Sequence, residues 1–126
     1  MRFIPTKIHG VIDYLIGLLL IAAPWIFGFA DGSAAQWAPI VLGAVVIIYS
    51  LLTRYELGAA DVIPLNVHLW LDVIGGVVLA ASPWAFGFAD MVWMPHLIIG
   101  VVEIVIALLT HTTEALRHTQ VAANTR

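Results

Sequence analysis

The sequence predicts an all-α membrane protein: four transmembrane helices forming two parallel-oriented helical-hairpin repeats, with the N- and C-termini cytoplasmic. Three observations predict it. The first is composition: 62% of the 126 residues are hydrophobic, only 10% are charged, and the mean hydropathy is +1.02. A soluble domain carries about a quarter charged residues and buries only about two-thirds of its surface, so water is the wrong solvent for this chain. The second is the presence of four apolar stretches, at 8–29, 38–53, 67–88 and 94–110. A membrane helix needs about 20 residues, within a range of about 17–25, so the first and third fit comfortably and the second and fourth are near the short limit. The third is an internal repeat, in which APWIFGFAD (23–31) returns as SPWAFGFAD (82–90).

The first stretch follows Arg2 and Lys7 and ends in the small residues Ala22 and Ala23, which is also the pattern of a secretory signal. Its recurrence inside the chain as the third stretch argues for a span instead. All five basic residues, Arg2, Lys7, Arg54, Arg117 and Arg126, fall on one side of the four spans. The positive-inside rule assigns that side to the cytoplasm and the two PWxFGFAD phrases to the outer face. Trp25, Trp37, Trp84 and Trp93 flank the outer loops as interfacial anchors, and Trp70 alone lies near the inner side. A short linker, about 55–62, joins two hairpins spanning 1–56 and 57–112. Residues 113–126 are expected to form a polar cytoplasmic tail, with the TEALRH segment adding one or two frayed turns.

The repeat extends well beyond the phrase. IPTKIHGVIDYLIG (4–17) aligns with IPLNVHLWLDVIGG (63–76), pairing Pro5, His9, Asp13 and Gly17 with Pro64, His68, Asp72 and Gly76. Pro24, Trp25, Gly28 and Asp31 pair with Pro83, Trp84, Gly87 and Asp90, and Trp37 and Pro39 with Trp93 and Pro95. A two-span unit returns the chain to its starting side. Both copies therefore share one orientation, related by an axis along the membrane normal. The doubled phrase within four spans resembles the SPW repeat family of small bacterial integral membrane proteins, named for its Ser-Pro-Trp motif. Ser82-Pro83-Trp84 carries all three letters, whereas Ala23-Pro24-Trp25 departs at the first. The resemblance covers about residues 4–112 and implies a bacterial inner-membrane, multi-pass location and a fold, but no activity.

Proline in a membrane helix kinks or ends the span, because it lacks the amide hydrogen and clashes with the preceding turn. Pro24 and Pro83 should therefore act with Gly28 and Gly87 as stops, with Trp25 and Trp84 as anchors and Asp31 and Asp90 capping or holding the loops. The sharper feature is P-x-x-x-H-x-x-x-D, present twice. Four-residue spacing puts His9 with Asp13, and His68 with Asp72, on one helix face, the face that also bears Gly17 and Gly76. These side chains should point into the bundle, with Asp13 about 12 Å along its helix from Pro5. A carboxylate at that depth costs about 2.5–3.5 kcal/mol to insert, so it needs a partner or a proton.

Two readings follow. In one, the pairs are a buried polar lock, each Asp accepting from a His or from Trp70. In the other, they form a proton relay, a cation site or a small polar-ligand site. Glu103, whose counterpart in span two is the apolar Val46, reads as a neutral acid bonded to a carbonyl or hydroxyl such as that of Tyr49, or else as a proton carrier. A haem between His9 and His68 is the cofactor alternative. The neighbouring Asp residues suit hydrogen bonding better, and the expectation is no cofactor and no metal centre. His96, His111 and His118 read as interfacial polarity. There is no cysteine and no Walker, HExxH, nucleophile-elbow or dinucleotide motif, so no enzyme is expected, and no basic cluster suggests nucleic acid. The leading function is a structural or accessory module in the lipid bilayer, packing with itself or a membrane-protein partner. The alternative is proton, ion or small-ligand transport through His9, Asp13, His68, Asp72 and Glu103.

Overall fold

The computed structural model describes residues 4–110. The expected tail at 113–126, with His118, Arg117 and Arg126, lies outside them, as do His111 and Arg2. Four helices follow one another: α1 (Thr6–Ile26), α2 (Ala34–Leu51), α3 (Leu65–Ala85) and α4 (Met94–Leu109). The first three are long and apolar enough to cross a membrane, and α4 is shorter at 16 residues. At about 1.5 Å per residue, the 21-residue α1 and α3 match a hydrocarbon core of about 30 Å.

Side-chain placement reverses that of a water-soluble bundle. Thr6, His9, Asp13, Thr53, His68, Asp72, His96, Glu103 and Thr110 are buried, while Leu15, Leu18, Ile48, Ile74 and Ile98 face outward. This is the arrangement that lipid selects, because it solvates apolar surface and offers polar groups no partner. The ionisable side chains left outside sit at the ends, Lys7, Arg54, Glu56 and Asp61 at one and Asp31 and Asp90 at the other.

Pro5 and Pro64 are N-caps in nearly identical extended conformations, and their carbonyls accept the first helical bonds from the amides of His9 and His68. At the other end the repeated phrase resolves into a helix stop. Pro24 and Pro83 lie within the last turn of α1 and α3. Gly28 and Gly87 follow with φ of 75° and 76°, a left-handed conformation that glycine adopts at little cost. The Phe29 amide then donates to the Pro24 carbonyl, and Phe88 to Pro83, both at 2.8 Å, which is the six-to-one bond of a Schellman cap. Phe29 and Phe88 turn inward while Trp25, Phe27, Trp84 and Phe86 stay exposed. The helices therefore end before the apolar letters do, because the glycine, not the hydropathy, sets the boundary.

The two loops at this end are built differently. Asp31 accepts from the Ser33 hydroxyl (2.6 Å) and amide (3.0 Å), which hold its carboxyl below the usual carboxylate value, and Ser33 caps α2. Asp90 is exposed, and its turn is closed by the Met91 and Val92 amides on the Phe88 carbonyl. At the opposite end the 52–64 linker folds back on α2, with Arg54 donating to the Ile63 carbonyl at 2.8 Å, while Ile4 donates to the Leu109 carbonyl at 2.9 Å.

Packing is most extensive within each hairpin, α1 with α2 and α3 with α4, and sparser where α2 meets α3 and α4 meets α1. The tight crossings rest on glycine. A Cβ on Gly43 would stand 2.6 Å from the Gly17 carbonyl oxygen, and one on Gly76 2.7 Å from that of Gly100. Gly43→Ala should therefore cost about 1–3 kcal/mol through overpacking. Gly75→Ala, whose Cβ would meet nothing within 4 Å, should be near neutral. Unfolding of both variants in mixed micelles checks this, and equal destabilisation would contradict the crossing.

Candidate functional site

The P-x-x-x-H-x-x-x-D segments of α1 and α3 meet near the start of both helices. The i,i+4 spacing predicts pairs within each helix, and those exist, His9 Nε2 to Asp13 Oδ2 at 3.0 Å and His68 Nε2 to Asp72 Oδ2 at 3.2 Å. The shorter contacts cross between helices, with His9 Nε2 2.8 Å from Asp72 Oδ2 and His68 Nε2 2.7 Å from Asp13 Oδ2. Two nitrogens and two oxygens thus alternate around a closed ring. Its residues are sealed from solvent, with relative exposures of 0% for His9, Asp13 and His68 and 1% for Asp72.

The far nitrogens reveal the tautomer. His9 Nδ1 lies 2.7 Å from Thr110 Oγ1, and His68 Nδ1 lies 2.6 Å from Thr53 Oγ1. Each threonine gives its only hydroxyl proton to a carbonyl one turn back, Thr110 to Ile106 and Thr53 to Tyr49, both at 2.6 Å. The hydroxyl oxygens are left to accept, so both Nδ1 atoms carry hydrogen. Inside the ring, the Nε2 atoms and carboxylate oxygens would otherwise oppose lone pair to lone pair. Two protons shared among the four atoms, one per imidazole, would relieve that opposition and leave the ring neutral overall.

The surroundings of the two aspartates differ. Tyr49 donates its hydroxyl to Asp72 Oδ1. Among the described residues, Asp13 Oδ1 and both carboxyl oxygens of Glu103 are buried with no close hydrogen-bond partner, and the Glu103 carboxyl lies beside that of Asp13, near enough for a protonated Glu103 to donate to it, with Asp72 and His9 also within electrostatic reach. Tyr49 therefore serves Asp72, not Glu103 as the sequence reading allowed. A cavity of about 190 Å³ between α2 and α3 is lined by Tyr49, Asp72 and Glu103 together with aliphatic side chains. Tyr55 from the linker packs its ring 5.5 Å from that of His68, and burial beside Tyr14 pushes its hydroxyl above the ordinary tyrosine value. Tyr14 in turn donates to the Leu57 carbonyl and Thr6 to the Glu56 carboxylate, so the linker closes this end of the bundle.

Two sequence expectations need correction, those for Trp70 and His96, and the haem alternative fits the geometry poorly. Trp70 is 64% exposed and bonds neither aspartate, since it points away from the face carrying His68 and Asp72. A haem between His9 and His68 would need the imidazoles to face one another across a flat macrocycle. Their rings stand edge to face, 5.5 Å apart, with carboxylate oxygens on both Nε2 atoms. His96 is not interfacial: it is buried, donates from Nε2 to the Ala35 carbonyl at 2.9 Å, and packs between Phe29 and Phe88. Sequence reasoning missed Thr53 and Thr110, although their matching positions one residue past equivalent Leu-Leu pairs were visible.

Apolar helices turned outward around a buried polar ring fit a small membrane protein. The family model of the SPW repeat domain matches residues 7–110, and the chain belongs to the SPW repeat family. No curated protein and no solved structure matches it. Because Asp72 Oδ1 would lose its donor, Tyr49→Phe should cost about 1–3 kcal/mol. Trp70→Phe should stay within about 0.5 kcal/mol. Thermal unfolding in detergent checks the pair, and a neutral Tyr49→Phe would contradict the assigned bond.

Proposed function

We propose that the protein is a non-enzymatic, multi-pass module of the bacterial inner membrane whose His-Asp ring locks two hairpins, 1–56 and 57–112, into one unit able to pack with itself or a membrane partner. One observation carries this reading. The shortest polar contacts of the ring, His9–Asp72, His68–Asp13, His9–Thr110 and His68–Thr53, all join one hairpin to the other. Lipid supplies little hydrophobic drive between helices, so close packing and interhelical hydrogen bonds hold them together. The glycine crossings serve within each hairpin, and the ring serves between them.

The lock is tested by Asp13→Asn combined with Asp72→Asn. The expected outcome is a lower unfolding midpoint in detergent and reduced accumulation in membranes, with wild-type proteoliposomes dissipating a pH gradient no faster than empty vesicles. A variant as stable as wild type, together with a wild-type proton or ion flux that it abolishes, would favour transport instead.

We also propose that both termini and the 52–64 linker are cytoplasmic, supported by Lys7 and Arg54 at that end and the absence of basic residues from 27–33 and 86–93. The chain has no cysteine, so single introduced thiols report alone. A membrane-impermeant maleimide should label Met91→Cys in intact spheroplasts and Ala59→Cys only after permeabilisation. The opposite pattern would invert the topology.

A further inference from the structure

We propose that the ring is a binding site for one divalent first-row transition-metal ion, held by His9 Nε2, His68 Nε2, Asp13 Oδ2 and Asp72 Oδ2. This goes beyond the lock reading, does not rest on it, and departs from the sequence expectation of no metal centre. The four ligating atoms lie within 4.8 Å of one another. Their ring edges run from 2.7 to 3.2 Å. Four ligands about 2.0 Å from one metal stand about 2.8 Å apart in a square plane and about 3.3 Å apart in a tetrahedron, so the edges bracket the square-planar spacing and would open by about 0.1–0.6 Å for the tetrahedral one.

The donor tautomer is the one a metal needs. Both Nδ1–H groups are spent on Thr53 and Thr110, which turns both Nε2 lone pairs toward the centre and fixes the rings, the outer-shell arrangement usual for metal-bound histidine. Tyr49 plays the same part for Asp72. Asp13 Oδ1, buried with no close hydrogen-bond partner among the described residues, is a second oxygen of a ring carboxylate that a cation in the ring would satisfy. Charge also balances. One M²⁺ entering displaces the two protons of the ring, which leave to solvent, and the cluster stays neutral before and after, as a low-dielectric interior demands. Two imidazoles among four donors select the zinc and copper class over magnesium or calcium, which take six or more oxygens.

The test uses full-length protein in detergent carrying His111→Ala and His118→Ala, which removes the tail imidazoles. After chelator stripping, it is dialysed against Zn²⁺ or, separately, Cu²⁺, with Mg²⁺ and Ca²⁺ as controls. Metal is counted by mass spectrometry, and proton release is measured by calorimetry in two buffers. The expected result is one Zn²⁺ or Cu²⁺ per chain with about two protons released, and no Mg²⁺ or Ca²⁺. Thr53→Val should keep the stoichiometry and weaken affinity by about 10–100-fold. Failure of both Zn²⁺ and Cu²⁺ to bind stoichiometrically, binding without proton release, or unchanged affinity in Thr53→Val would overturn the proposal. Metal bound by wild type while Asp13→Asn/Asp72→Asn is as stable as the stripped protein would sink the lock and keep the site. No metal, with that variant destabilised, would do the reverse.

Discussion

A carboxylate placed among hydrocarbon must be neutralised by something within hydrogen-bond reach, and the rest of this structure follows from that requirement. Asp13 and Asp72 each find two imidazole nitrogens, one on their own helix and one across the bundle. The imidazoles are oriented from behind by Thr53 and Thr110, and those threonines are anchored on carbonyls of α2 and α4. All four helices are thereby referred to one buried point. Bilayers supply no competing water, so bonds that would be nearly neutral in a soluble protein here decide which helix faces meet.

Much of this was legible in the residues. The Pro-His-Asp spacing placed both pairs on the inward face together with Gly17 and Gly76, because a helix repeats its faces every three to four residues. The doubled PWxFGF phrase was legible as a stop. What periodicity does not encode is the partner across the gap. It brought His9 to the same face as Asp13, but the shorter bond runs to Asp72, and the choice depends on the distance between α1 and α3. For the same reason Tyr49 was read toward Glu103 when it serves Asp72, and His96, only three residues from Trp93, was read as interfacial when Phe29 and Phe88 enclose it. Hydropathy also carried the first and third spans past their true ends, since Phe27 and Phe29 are as apolar as any helical residue and only the conformation of Gly28 separates them from the helix.

The ring is reciprocal, but its setting is not. Every bond from His9 has a counterpart from His68. Two departures lie beside the ring, Tyr49 against Ile106 and Glu103 against Val46, and two more, His96 against Ile40 and Ser82 against Ala23, lie at the opposite end of the bundle. Ser82 donates to the Leu79 carbonyl, a bond that the alanine cannot make. The first two departures act on the same pair of carboxylates, since Tyr49 satisfies the second oxygen of Asp72 while Glu103 faces the Asp13 side with an acidic group of its own.

Two carboxylates equivalent in their nitrogen partners are therefore inequivalent in their oxygens. A lock alone needs only the reciprocal part, because symmetric bonds hold two hairpins as well with an apolar residue at 103 as with an acid. Retaining a glutamic acid there, with both oxygens buried and without a close hydrogen-bond partner among the described residues, carries a desolvation cost that packing does not return. The cost is offset when the acid is neutral and its proton has an acceptor. The nearest group able to take such a role is the Asp13 carboxylate, whose Oδ1 can accept the proton of a neutral Glu103. The asymmetry thus sits on the oxygens that the nitrogens of the ring leave unused, while the reciprocal His-Asp and His-Thr bonds account for how the hairpins stay joined.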